Sequence, residues 1–106
     1  MKMAMVSQPM NGKTEEEIRE VRERAIAVLK EKGYEVVDTL FTDAWYSDEN
    51  LKEQGVVQTP VYFLSASLLQ MSKCDVVYFC DGWEKARGCR LEHDVAMSYG
   101  LHIVYE

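Results

Sequence analysis

Hydrophobic and polar positions divide the chain into short apolar runs separated by helical patterns. Val76-Val77-Tyr78-Phe79-Cys80 is continuously apolar, as expected of a strand buried on both faces. Asp81-Gly82 stops it, and a loop carrying Trp83, Glu84 and Arg87 follows. Gly88 leads into a helical pattern ending at Tyr99-Gly100, and Leu101–Tyr105 is a second apolar run. Strand, loop, helix and strand form a βαβ unit. The N-terminal part repeats the scheme. Lys2–Val6 reads as a central strand that ends at Ser7-Gln8-Pro9. Thr14 and Glu17 form a capping-box signature, and Ile18, Val21, Ala25, Val28 and Leu29 recur on one helical face. Glu15–Arg19 and Glu20–Arg24 are spaced as i,i+4 pairs on the other face. Gly33 fits the C′ position, and Tyr34–Asp38 is a second strand.

Thr39–Gln58 lacks sustained periodicity, and a connection of this length in a small domain is usually functional or partly disordered. Asp43–Gly55 is the part available to cover a ligand, and its few core anchors predict mobility without one. Thr59-Pro60 reads as an N-cap with Pro at N1. The helix it starts runs through Lys73, with Val61, Leu64, Leu68 and Met71 inward. Tyr62, Phe63 and Leu69 make it apolar over more than one face, a surplus that points to packing against another subunit.

The expected fold is α/β: one domain over 1–106, with a small open parallel sheet of order 2-1-3-4. Helices cover both faces in a Rossmann- or flavodoxin-like arrangement. Ligands of such sheets bind at the carboxyl edge, where the strand order switches. Ser7-Gln8-Pro9 and Cys80-Asp81-Gly82 therefore face each other across one crevice.

Charge and cysteine content narrow the function. The net charge of −6 argues against nucleic-acid binding, although local Arg residues and helix N-termini can still hold a phosphorylated small molecule. Three cysteines without a CxxC pair argue against a disulfide scaffold or structural zinc and suit a reducing cytoplasm. The apolar N-terminal run is too short for a signal peptide or a membrane span. Neither a metal site nor a Walker A or GxGxxG nucleotide loop is present, and no cofactor is implied.

Glu92 is the leading candidate for chemistry. Four residues after Gly88, it is expected near the first turn of the last helix, where the dipole favours a carboxylate suited to a nucleophile. An isolated Glu there would merely complement the dipole; the company of Asp81, Gly82, Arg87 and Gly88 shifts the reading toward a site. Gly88 would admit a ligand to the backbone, and Arg87 would clamp a phosphate or carboxylate. Asp81 either binds sugar hydroxyls or turns the chain before Gly82. Cys89 stands where a thiol pKa can fall, but no base pairs with it, so packing is the better reading. His93 points about 100° away from Glu92, toward the surface or an interface.

Ser7-Gln8-Pro9-Met10-x-Gly12-Lys13-Thr14, with Trp83-Glu84-x-Ala86-Arg87-Gly88-Cys89-x-x-Glu92-His93, resembles the nucleoside 2-deoxyribosyltransferase superfamily. The wording is most similar to a small phage- and bacterium-associated branch, the DUF4406 domains, over nearly the whole chain. The resemblance implies that Glu92 attacks the anomeric carbon while the base leaves, and that Asp81 holds the sugar or base. It places Gln8-Pro9 at the Gly-Pro of the enzymes' first loop, with Ser7, Met10, Gly82 and Trp83 around the substrate. Sister members that hydrolyse nucleoside 5′-monophosphates bind phosphate at this helix start, which gives Arg87 and Gly88 a role. Sites in the superfamily are completed by a neighbouring subunit, which implies a homo-oligomer. Transferase-type members carry an Asp contacting the base where this chain has Ala86, and Thr or Ser where it has Cys89. The expected partner is a nucleoside or nucleotide. An N-glycosidase or transferase, a nucleotide-sensing module, and an interaction protein working through its helix surface remain the alternatives.

Overall fold

A computed structural model describes residues 2–37 and 48–106. Four parallel strands, β1 (Met3–Ser7), β2 (Glu35–Val36), β3 (Val76–Phe79) and β4 (His102–Tyr105), form one sheet of order β2-β1-β3-β4. This is the open α/β architecture and strand order expected from the apolar runs. The strands alternate their side chains between two cores. Ala4, Val6, Val76, Tyr78 and Cys80 meet Ala25 and Leu29 of helix α1 (Glu15–Glu31) on one face. Met5, Val77 and Phe79 meet Met71 and Ala96 on the other, under helices α3 (Thr59–Met71) and α4 (Arg87–Ser98).

Helix α1 starts as its capping box dictates. Glu17 N–H donates to Thr14 Oγ1 and Thr14 N–H to Glu17 Oε1, each at 3.1 Å. It stops at Gly33, whose φ of +90° a side chain would strain. The Arg19–Glu15 pair forms at 3.0 Å, but Arg24 reaches across to Glu106 at 3.1 Å instead of pairing with Glu20. An exposed i,i+4 pair contributes only a few tenths of a kcal/mol, so a better-placed carboxylate displaces it.

Three expectations need correction. The long connection contains a short helix, α2 (Asp48–Glu53), anchored by the buried Leu51; residues 43–47 of the expected covering loop Asp43–Gly55 lie outside the described residues, as does Asp38 at the end of the expected second strand. Helix α3 has Gln58 as its N-cap, without a side-chain cap bond, and Thr59 is its first residue. Proline fits either position because first-turn N–H groups need no helical acceptor. Val61 is 60% exposed rather than inward. The first turns of α3 overhang the carboxyl edge of the sheet, so Met71 reaches the core and Val61 does not. Among the described residues no helix is long and apolar enough to cross a membrane.

Candidate functional site

At the carboxyl edge β1 and β3 end side by side, with Cys80 N–H donating to the Ser7 carbonyl at 3.0 Å. The chain leaves them as Gln8-Pro9-Met10 and Asp81-Gly82. Gly82 holds φ +89°, and a Cβ there would sit 3.6 Å from Pro9 Cγ, so the two loops touch. Between these loops, the start of α4 and the overhanging α3 opens a crevice of about 820 Å³. That is the size of a small-molecule site.

The crevice brings together Ser7, Gln8, Pro9, Met10, Asp81, Gly82, Arg87, Gly88 and Glu92, as the loop-facing argument requires. Trp83 is not among them. Its indole stacks on the His93 ring at 4.0 Å, beside Phe79 and Tyr105, and borders a smaller hollow of about 350 Å³. His93 is accordingly half-buried, its Nε2 2.6 Å from the Tyr105 hydroxyl, rather than a plain surface residue. Sequence reasoning missed the opposite wall, where Pro60, Phe63 and Leu64 of α3 supply an apolar surface, and the cations Lys13 and Lys85. The overhang of α3 that exposes Val61 also builds this wall.

Helix α4 begins at Arg87 behind Ala86, an N-cap without a side-chain bond, and has no acidic residue in its first turn. The first helical bond runs from Arg90 N–H to the Ala86 carbonyl, at 2.9 Å. The preceding amides therefore have no helical acceptor, and Gly88 and Cys89 lie on the crevice wall. Such a helix start attracts anions. A Cβ added to Gly88 would meet nothing within 4 Å, so neither packing nor backbone conformation demands glycine there.

Glu92 lies in the second turn of α4, beyond the reach of most of the dipole. Its residue is 9% exposed, and burial pushes the carboxyl up to about 7, against a smaller opposing pull from the nearby Ser7 hydroxyl. Desolvation thus overrides the carboxylate-favouring position expected from sequence. No ion pair and no close hydrogen bond engages Glu92 among the described residues; the Ser7 hydroxyl is the polar group that acts on it. Cys89 is buried beside it, and burial pushes its thiol up to about 11, which suits packing rather than nucleophilic attack.

Two neighbours are fixed by contacts that sequence did not reveal. The Gln8 side chain donates to the Ile18 carbonyl at 2.8 Å, and its Oε1 lies 3.5 Å from the buried Arg22 of α1. Its amide is thus tied to α1. The Asp81 backbone N–H donates to Glu106 Oε1 at 2.8 Å, while Glu106 Oε2 binds Arg24. This latch holds the loop and leaves the exposed Asp81 carboxylate on the crevice rim.

Fold and site together define a small open α/β domain with a buried acid in its switch-point crevice. The chain belongs to the DUF4406 family: the model described as "Domain of unknown function (DUF4406)" matches residues 2–105. No curated protein and no solved structure matches it.

Proposed function

We propose that this protein cleaves the N-glycosidic bond of a nucleoside or nucleoside 5′-monophosphate, with Glu92 as the nucleophile. The observation that carries the reading is the Glu92 carboxyl, nine-tenths buried in the crevice, with no ion pair among the described residues and only the Ser7 hydroxyl beside it. A buried acid without an ion pair costs stability, and such groups concentrate where chemistry needs them. The ionised carboxylate attacks the anomeric carbon. The C1′–N bond breaks, its electron pair leaves on the base, and the base takes a proton from solvent. Water then displaces Glu92 from the glycosyl ester, yielding the free sugar and the carboxyl. A second base in place of water would give transfer.

The surroundings fit such a ligand. Pro60, Phe63 and Leu64 offer an apolar wall to a base, and Asp81 on the rim suits sugar hydroxyls. Arg87, Lys85, Lys13 and the open start of α4 suit a phosphate. The wider likeness to nucleoside 2-deoxyribosyltransferases, through Gly88-x-x-x-Glu92, supports the same assignment. Ala86, in place of the base-contacting Asp, is what a nucleotide-sensing module would show. The exposed Val57, Val61 and Leu69 around α3 support a homo-oligomer, and three free cysteines suit a reducing cytoplasm.

The test is chromatographic detection of free base after incubation with the common nucleosides and their 5′-monophosphates. Release by the wild type that falls about a hundredfold or more in Glu92→Gln supports the reading, on the scale of losing one electrostatic stabiliser. Full release by Glu92→Gln sinks it. Specific binding without release favours the sensing module instead.

A further inference from the structure

Glu92 is not the only polar side chain left without a close hydrogen bond at the floor of the crevice. Ser7 is 2% exposed, and its Oγ makes no close hydrogen bond, with only Glu92 and Cys89 near enough to feel it. It is the last residue of β1, and its carbonyl accepts from Cys80 N–H. The side chain lines the crevice together with Glu92 and Cys89, close enough to favour the ionised form of both. Leaving a buried hydroxyl unpaired is unfavourable, and alanine would fill the same place without that cost. A hydroxyl that both donates and accepts, held beside a buried acid, is a recognition element for another hydroxyl.

Stereochemistry says which one. In a β-nucleoside the base departs from the upper face of the sugar, so in-line displacement brings the nucleophile to the lower face. On a ribose that face carries the 2′-hydroxyl, on the carbon adjacent to the one attacked. On a 2′-deoxyribose it carries only hydrogen. A side chain beside an attacking Glu92 therefore meets the 2′ position.

We propose that Ser7 Oγ hydrogen-bonds the 2′-hydroxyl of the substrate and makes the crevice selective for ribosides over 2′-deoxyribosides. The inference rests on the N-glycosidic reading of Glu92 and adds the sugar class, which the resemblance to deoxyribosyl enzymes would assign the other way. Sites built to bond a substrate hydroxyl discriminate strongly against the analogue lacking it, because their own buried polar groups are then left unpaired.

The experiment measures dissociation constants by calorimetry for four ribonucleoside 5′-monophosphates and their four 2′-deoxy counterparts. Wild type, Ser7→Ala and Ser7→Cys are compared, with kcat/KM recorded wherever base is released. The expected wild-type preference for the ribo form is at least ~10-fold. Ser7→Ala should reduce it below about 3-fold by weakening the ribo form, with the deoxy form unchanged within about 2-fold; Ser7→Cys, a weaker donor of similar size, should fall between and serves if the alanine variant misfolds. A wild type that prefers the deoxy form, or a preference untouched by both substitutions, overturns the proposal. Equal weakening of both sugars marks Ser7 as structural and overturns it too. A Ser7-dependent preference without base release leaves this selectivity standing and removes the hydrolase reading alone. No binding of any nucleotide removes both.

Discussion

Replacing Glu92 with Gln should make the protein more stable at alkaline pH while abolishing the proposed base release. Burial raises the Glu92 carboxyl from the 4.5 of a free side chain to about 7. Below pH 4.5 the folded and unfolded chains both hold the proton, and the group contributes nothing to pH dependence. Between 4.5 and 7 the unfolded chain releases it and the folded chain does not. Stability contributed by this group then falls by about 1.4 kcal/mol per pH unit. Above 7 both states are ionised and the loss is complete, at about 3 kcal/mol. Glutamine keeps the shape and carries no charge, so it escapes that loss. Urea unfolding of both proteins at pH 5 and pH 8 isolates the effect, because other titrating groups cancel in the double difference. The stability gained by Glu92→Gln should be larger at pH 8 than at pH 5 by about 2.5 kcal/mol, since part of the loss is already present at pH 5. The same titration predicts that the proposed base release climbs in kcat/KM as pH rises through about 7, since in that reaction only the carboxylate would attack. A double difference within about 0.5 kcal/mol of zero would refute the claim that burial, rather than the helix start, governs this residue.

Gly88→Ala should raise stability by up to ~1 kcal/mol, since a helical glycine is replaced and the added methyl meets no atom within 4 Å. It should weaken ligand binding, because that open space is the crevice itself; unchanged affinity for every ligand would place the ligand elsewhere. Arg87→Ala should raise KM for 5′-monophosphates roughly 10-fold or more and leave unphosphorylated nucleosides nearly untouched, as loss of one charge-assisted contact predicts. Equal effects on both classes would remove Arg87 from phosphate binding. Light scattering should find at least a dimer, converted to monomer by Leu69→Glu on the exposed side of α3. A wild-type monomer at micromolar concentration would contradict this.

The fold was legible because its determinants are local or periodic. A parallel sheet covered on both sides needs continuously apolar strands, and Val76–Phe79 shows this plainly. The capping box at Thr14 and Gly33 bracket α1 from sequence alone. Arg22 was missed, although it lies on the buried face at i+4 from Ile18, i−3 from Ala25 and i−7 from Leu29. Its charge disguised a position whose spacing gave it away. The depth of Glu92 was not legible, because desolvation depends on what packs around the side chain. The same holds for Ser7, which became a candidate donor through its isolation, and for Trp83, carried away from the crevice by stacking against His93 and Tyr105. Those two partners lie on α4 and β4, and sequence spacing says nothing about their apposition.

The most direct measurement looks for the covalent intermediate of the proposed reaction. Wild type and Glu92→Gln are mixed with the nucleotide that yields most free base, quenched in acid within the first turnovers, digested and mapped by mass spectrometry. A glycosyl adduct on the peptide containing Glu92, absent from Glu92→Gln and lost on longer incubation as water releases the sugar, is the predicted result. Undiminished base release by Glu92→Gln, with no adduct on that peptide in either protein, would contradict Glu92 as the nucleophile.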